Sequence, residues 1–182
     1  MTVQSSLTEH RDISQTSTAD LPVVLWLFDQ VKALQGKGGY KVWQEIDRKS
    51  LEKDIQNGLQ YKIVKNKEIV CVFSIQLSDP FIWREKDQND ALYLHRIVVN
   101  QKYKGEKQFG KILEWAKQYA LTSGLKYLRM DTWADNQQLI NYYKSFGFVF
   151  IENYKTADLL ELPAQNRDLE VALLELKLTA EK

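Results

Sequence analysis

Apolar residues recur along this chain in two periods, and the alternation between them lays out the elements. Leu21, Val24, Leu25, Phe28, Val31 and Leu34 fall on one face of a helix that Asp20 can cap and Gly36, Gly38 and Gly39 can end. Residues Asp47 to Gln56 predict a second, short helix with Leu51 and Ile55 inward, closed by Asn57-Gly58. The pattern then changes. Tyr61 to Val64 and Glu68 to Leu77 read as a hairpin about Lys65-Asn66-Lys67, and Leu92 to Val99 as a buried strand ended by Asn100. Phe109, Ile112, Leu113, Ala116 and Ala120 return to helical spacing from about Gln108, with Gly124 placed as a C-cap glycine. Tyr127 to Thr132 is a strand, Leu139, Ile140, Tyr143 and Phe146 mark a helix stopped by Gly147, and Phe148 to Glu152 with Glu170 to Leu178 form a last antiparallel pair. Arg11-Asp12-Ile13 can add a first strand, with residues 1–10 expected to be flexible.

This order predicts an α/β fold. The helix between the strands at 92–99 and 127–132 makes a right-handed crossover, so those strands run parallel and both open toward one mouth at Val99 and Asp131. Strict alternation puts Tyr93, His95, Ile97 and Val99 on one face. Residues Asp79 to Asp90 form a polar connection carrying Pro80, Phe81 and Trp83.

Composition narrows the class. A chain of 182 residues that is 44% hydrophobic can bury one core, and no linker divides it, so one domain is expected over 1–182. Leu21 to Phe28 is too short to span a bilayer and lacks signal-peptide flanks, which predicts a cytoplasmic protein without a membrane partner. With 25 Lys and Arg against 24 Asp and Glu the charge is balanced, which argues against nucleic acid. One cysteine, Cys71, excludes an intrachain disulfide and any cysteine-based zinc cluster.

The candidate chemistry lies between the strand at 92–99 and the following helix. Unpaired N–H groups at a helix start and the positive dipole end meet a loop with Lys102, Lys104, Lys107 and Lys111, a place suited to phosphate. Gly105 and Gly110-Lys111 fit the nucleotide pattern G-x-x-x-x-G-K, but Ile112 stands where Ser or Thr must hold magnesium. The metal-free reading has the loop hold the pyrophosphate of coenzyme A while the splayed strand end pairs with its pantetheine arm.

Val98-Val99, Tyr103-Lys104-Gly105 and Gly110, then Asp131-Thr-Trp-Ala-Asp-Asn136 and Asn141-Tyr-Tyr143-Lys-Ser-Phe-Gly147-Phe148, resemble two motifs of the GNAT superfamily of acetyl-CoA-dependent N-acetyltransferases, in family order. The resemblance spans roughly Tyr61 to Tyr154. It implies a mixed, mostly antiparallel sheet with one parallel splayed strand pair, flanked by helices. It implies coenzyme contacts at Ile97, Val98, Val99, Lys104, Gly105, Lys107, Gln108, Phe109, Gly110, Lys111, Asn136 and Tyr143. One departure is visible. The middle glycine of the family loop falls on Lys107 counting from Val99, or on Gln108 counting back from Gly110, and neither is glycine.

By the same resemblance Tyr143 is the phenol that protonates the leaving thiolate, and a backbone N–H near Val98 or Val99 holds the developing oxyanion. His95, one of two histidines, is the candidate base. Asp131 can bind an ammonium acceptor, Trp133 can wall its pocket, and Trp83 is either a substrate-facing aromatic or a loop anchor; Tyr40 and Trp43 are further candidate contacts. The expected function is acetyl transfer from acetyl-CoA to a primary amine of a small molecule or peptide, without a metal. The alternative is a non-catalytic acyl-CoA-binding module. A homodimer stays open.

Overall fold

Period-2 runs become strands and period-3.6 runs become helices in the computed structural model, which describes residues 12–37 and 47–179. The strands are β1 (Ile13–Gln15), β2 (Gln60–Lys65), β3 (Glu68–Gln76), β4 (Ala91–Val99), β5 (Tyr127–Trp133), β6 (Val149–Lys155) and β7 (Glu170–Lys177). The helices are α1 (Leu21–Lys37), α2 (Arg48–Gln56), α3 (Pro80–Trp83), α4 (Gln108–Thr122) and α5 (Gln137–Lys144). Among the described residues the strands form one sheet in the order β1-β2-β3-β4-β5-β7-β6. Only β4 and β5 pair in parallel. No helix among these residues is long and apolar enough to cross a membrane. Tyr40, Trp43 and residues 1–10 lie outside the described residues.

Two helical layers cover the sheet. On one face Phe109, Ile112, Leu113 and Ala116 of α4 and Ile140 of α5 close over Phe73, Ile75, Leu92, Leu94 and Leu128. On the other, Val24, Leu27 and Phe28 of α1 and Leu51 and Ile55 of α2 cover Val72 and Val98. The helix starts refine the sequence reading. Asp20 does not cap α1: it closes a 3-10 turn over Thr18–Asp20, accepting from the Ser17 N–H at 2.8 Å. Helix α1 then runs through Gly36 to Lys37. Asp47 and Asn136 cap α2 and α5 through Ser50 N–H and Leu139 N–H, each at 3.0 Å.

One irregularity decides where the site lies. Across β3 and β4, Val72 faces Val98 and Ser74 faces His95, so the single residue Phe73 opposes both Arg96 and Ile97. This is a β-bulge, and its extra residue, Arg96, has φ +51°, a conformation rare for a side chain of that size. Slipping by one residue inverts the faces downstream. The expectation that His95 shares a face with Ile97 and Val99 is therefore corrected. Ile97 and Val99 pack toward α4 with Leu92 and Leu94, whereas Val98 packs beneath α1 and α2. Arg96 is held by partners on α2: its guanidinium donates to the buried Asp54 Oδ2 and to Ser50 Oγ, both at 2.6 Å. Gln76 also donates to Asp54, at 3.0 Å.

The Asp54 side chain is 8% exposed, so removing its cation strands a buried charge. Arg96→Ala should cost about 3–5 kcal/mol in urea unfolding. Adding Asp54→Ala should recover part of that loss, making the double variant more stable than the sum of the single effects predicts. Additive losses would show that the pair does not hold the bulge.

Candidate active site

Strand pairing between β4 and β5 stops at Leu94 opposite Met130. Beyond it, β4 pairs only with β3 and β5 only with β7, so the two strands part like the arms of a V. A cavity of about 150 Å³ occupies the opening, and its walls include His95, Ile97, Asp131, Trp133 and Tyr143. The structure thus brings together residues that the sequence spread over three elements. A second cavity, of about 240 Å³, lies toward α2 and α3 and is lined by Asp54, Asp79, Phe81, Leu162 and Glu161. His95 and Arg96 line both cavities.

His95 stands between two carboxylates. Its Nε2 is 3.1 Å from Asp79 Oδ2 and its Nδ1 is 3.5 Å from Asp131 Oδ1. Burial favours the neutral imidazole, but the two carboxylates outweigh it and hold the His95 pKa above its ordinary value. Burial pushes the Asp131 carboxyl up to about 6, with Asp79 adding to the rise and His95 opposing it. His95 and Asp131 titrate as a coupled pair. Asp79, His95 and Asp131 each also offer one donor atom, all within 4.8 Å of one another, the arrangement a divalent cation would use if one entered.

Asp79 was not visible as a site residue from sequence. It ends the segment after β3 at the start of α3, and only the folding of that segment against β4 carries it to His95. The Asp79-Pro80 pair that begins α3 is the one local signal, and it speaks of a helix start rather than of chemistry. The loop before β7 also contributes, through Gln165 and Asn166 at the cavity wall.

Tyr143 lines the first cavity, its ring 4.9 Å from that of Phe109, and burial holds its phenol pKa above the ordinary value. It therefore stays protonated at neutral pH. Trp133 lines the same wall. Trp83 does not. Its side chain is fully buried with Ile82, Tyr93 and Leu173, and the Arg129 guanidinium lies 4.9 Å over its ring. The substrate-facing reading of Trp83 is corrected: it anchors α3. Asp131 is not the partner of Arg129, which pairs with Glu175 at 2.8 Å, nor of Arg96, which pairs with Asp54.

The loop between β4 and α4 ends at a helix start without a side-chain cap. Asn100 caps a 3-10 turn over Gln101–Tyr103, and Gly105 follows with φ +90°, a conformation that a side chain would strain. Lys107 precedes α4 with φ +57° and gives the helix start no side-chain cap; of the first-turn amides, Gly110 N–H donates to Lys107 O at 3.1 Å. Lys107 takes the left-handed conformation that glycine favours, whereas Gln108 is already helical. Lys102 is engaged by Glu68 at 2.8 Å, whereas Lys104, Lys107 and Lys111 make no ion pair among the described residues. Gln108 and Phe109 are buried, so at this loop they present backbone rather than side chains. Asn136 spends its carbonyl oxygen on the α5 cap.

Comparison with known proteins agrees with this geometry. The acetyltransferase (GNAT) family profile matches residues 28–148. An uncharacterized N-acetyltransferase of Bacillus subtilis, YesJ, is 24% identical over 101 residues, 53% of this chain and 56% of that protein. The match therefore spans little more than half the length of that relative. A GNAT-family acetyltransferase from Listeria monocytogenes superposes with a TM-score of 0.74 at 17% identity, covering 91% of this chain and 94% of that one. The ribosomal-protein-S18-alanine N-acetyltransferase of Escherichia coli gives a TM-score of 0.62 at 17% identity over 93% and 95% of the two chains. Strand order, the splayed parallel pair and the family match converge, and the chain belongs to the GNAT family of acetyltransferases.

Proposed function

We propose that the protein transfers an acetyl group from acetyl-CoA to a primary amine of a small molecule or peptide, directly, in a ternary complex. The observation that carries this reading is the position of His95: it forms the wall between two cavities, with a carboxylate at each ring nitrogen. The coenzyme has a place on the side of Tyr143, with its pyrophosphate at the uncapped start of α4 among Lys104, Lys107 and Lys111. Its pantetheine arm fits along β4 from Ile97 to Val99, where β5 has withdrawn.

The amine then enters from the second cavity, where Asp79 and Glu161 favour a cation. His95 takes one proton from the ammonium group, and the freed nitrogen attacks the acetyl carbonyl. A backbone N–H at Val98 or Val99 meets the charge that develops on the carbonyl oxygen. The carbon–sulfur bond breaks, Tyr143 supplies the proton that makes the thiolate a thiol, and the second proton leaving the nitrogen restores the Tyr143 phenol. Asp79 and Asp131 keep the imidazole oriented and stabilise its charged form. No metal takes part in this sequence.

Saturating acetyl-CoA should raise the melting temperature, by the equivalent of about 2.7 kcal/mol at a hundredfold excess over Kd, and Mg-ATP should not. Thiol release with a panel of amines should continue unchanged in EDTA. In that assay Tyr143→Phe and His95→Gln should each lower kcat by about 10²-fold. Unaltered turnover in either variant would remove that residue from the mechanism.

The pH profile gives an independent check. His95 must be neutral to act, and its pKa lies above 6.5, so kcat/KM should rise with pH through a limb above that value. Asp79 raises that pKa, so Asp79→Asn should move the limb to lower pH while reducing its plateau. A limb that stays in place would dissociate Asp79 from the base.

A further inference from the structure

Acetylation of an ammonium group releases two protons from nitrogen for each amide bond formed. One ends on the thiol, and the other must reach solvent. In the proposed ternary complex the coenzyme fills one cavity beside His95 and the acceptor fills the other. A base walled off on both sides needs a third outlet.

The sheet provides one. Directly across from His95 on β3 is Ser74, and directly across from Ser74 on β2 is Gln60. The Thr16 N–H, just past β1, donates to Gln60 O at 2.9 Å, which extends the row by one more strand. Residues facing one another on neighbouring antiparallel strands point to the same side, with Cβ atoms about 4.5–5.5 Å apart. Here that side lies beneath α1 and α2, since Ser74 alternates with Phe73 and Ile75 of the opposite core. Thr16 is 4% exposed, and Gln60 and Ser74 are 0% exposed. Yet Thr16 Oγ1, both polar atoms of the Gln60 amide and Ser74 Oγ have no hydrogen-bond partner among the described residues. The helix side chains above them, Val24, Leu27, Phe28, Leu51 and Ile55, offer none.

A fully buried glutamine with every side-chain polar atom unpaired is costly, and three such residues in one row do not arise from packing alone. We infer that Thr16, Gln60 and Ser74 bind a short file of water molecules that carries the proton from His95, and from the Asp79 carboxylate beside it, across β3 and β2 to the surface at Thr16. The site is too closed for a substrate. Water supplies both a donor and an acceptor at each step, and a hydroxyl or an amide on each strand meets it. On this route the imidazolium N–H bond breaks as an O–H bond forms on the Asp79 carboxylate 3.1 Å away, that O–H passes its proton to the adjacent water, and each water passes on another proton until one reaches bulk. This inference rests on His95 being the base.

Two measurements separate the water site from the base assignment. A high-resolution crystal structure should show ordered water between Ser74, Gln60 and Thr16. Ser74→Ala and Thr16→Val should then lower the melting temperature, because each removes a partner from bound water. A dry row, with both variants melting higher because an unpaired hydroxyl is gone, would overturn the proposal. In kinetics, Ser74→Ala should reduce kcat several-fold, leave the acceptor KM unchanged and enlarge the solvent deuterium isotope effect. In the His95→Gln background it should change none of these. Water present in the row with kcat and isotope effect unmoved would overturn the proton route. Failure of the base reading would show separately, as full turnover in His95→Gln with the row still hydrated.

Discussion

The buried pair between Arg96 and Asp54 carries more of this architecture than its two residues suggest. A β-strand in regular register would place His95, Ile97 and Val99 on one face and continue pairing with its parallel neighbour. The bulge at Arg96 breaks that continuity, and the bulged residue holds a left-handed backbone that only a firm side-chain anchor makes tolerable. The anchor comes from α2, through Asp54 and Ser50. Both consequences of the slip are functional. Ile97 and Val99 turn toward the α4 layer, where the coenzyme loop begins, while His95 remains on the face of α2 and α3. The same irregularity therefore separates the two cavities and leaves His95 in the wall of both.

Around His95 the structure concentrates charge in a place that stability alone would not choose. Asp79, Asp131 and the imidazole are each less than one-fifth exposed, and both carboxylates face the one imidazole. Burial raises the Asp131 pKa toward that of the histidine it faces, so neighbouring groups titrate over a similar range. A buried acid and a buried base held side by side suit proton transfer, and two carboxylates around one imidazole disfavour tight folding. Arg129 shows the contrasting arrangement. It is equally buried, but Glu175, the Tyr93 hydroxyl and the Lys86 carbonyl satisfy it, and it serves the packing around Trp83.

Most element positions were legible from periodicity, because each buried face is long enough to repeat its signal. The α4 core positions Phe109, Ile112, Leu113, Ala116 and Ala120 are all buried as their spacing predicts. The parallel pairing of β4 with β5 followed from handedness alone. The facing of β4 beyond His95 was not legible. A bulge replaces period 2 with an extra residue, and nothing about an arginine announces a positive φ. Asp79 was hidden for a different reason: its relation to His95 spans sixteen positions and a short helix, so only tertiary structure creates it. Trp83 was ambiguous because an aromatic in a polar connection reads the same whether it faces a ligand or pins the loop. Its full burial beside Tyr93 decides for pinning.

The coenzyme loop shows how a departure from a family pattern can keep the pattern's physics. Glycine is favoured where the chain must turn left-handed just before a helix whose N–H groups receive phosphate. Lys107 occupies that conformation with φ +57° and ψ +40°, so the backbone path that glycine would permit is retained. Its side chain is exposed at the positive end of α4, with no carboxylate paired to it among the described residues. The strain of a left-handed lysine, of order 1 kcal/mol, is set against a charge fixed within a few ångströms of the free amides. On a diphosphate bound here two attractions of different range would act: the amides by direct hydrogen bonds, the lysines by a field that salt screens. Substituting the glycine therefore shifts the loop from short-range toward long-range recognition without closing the site.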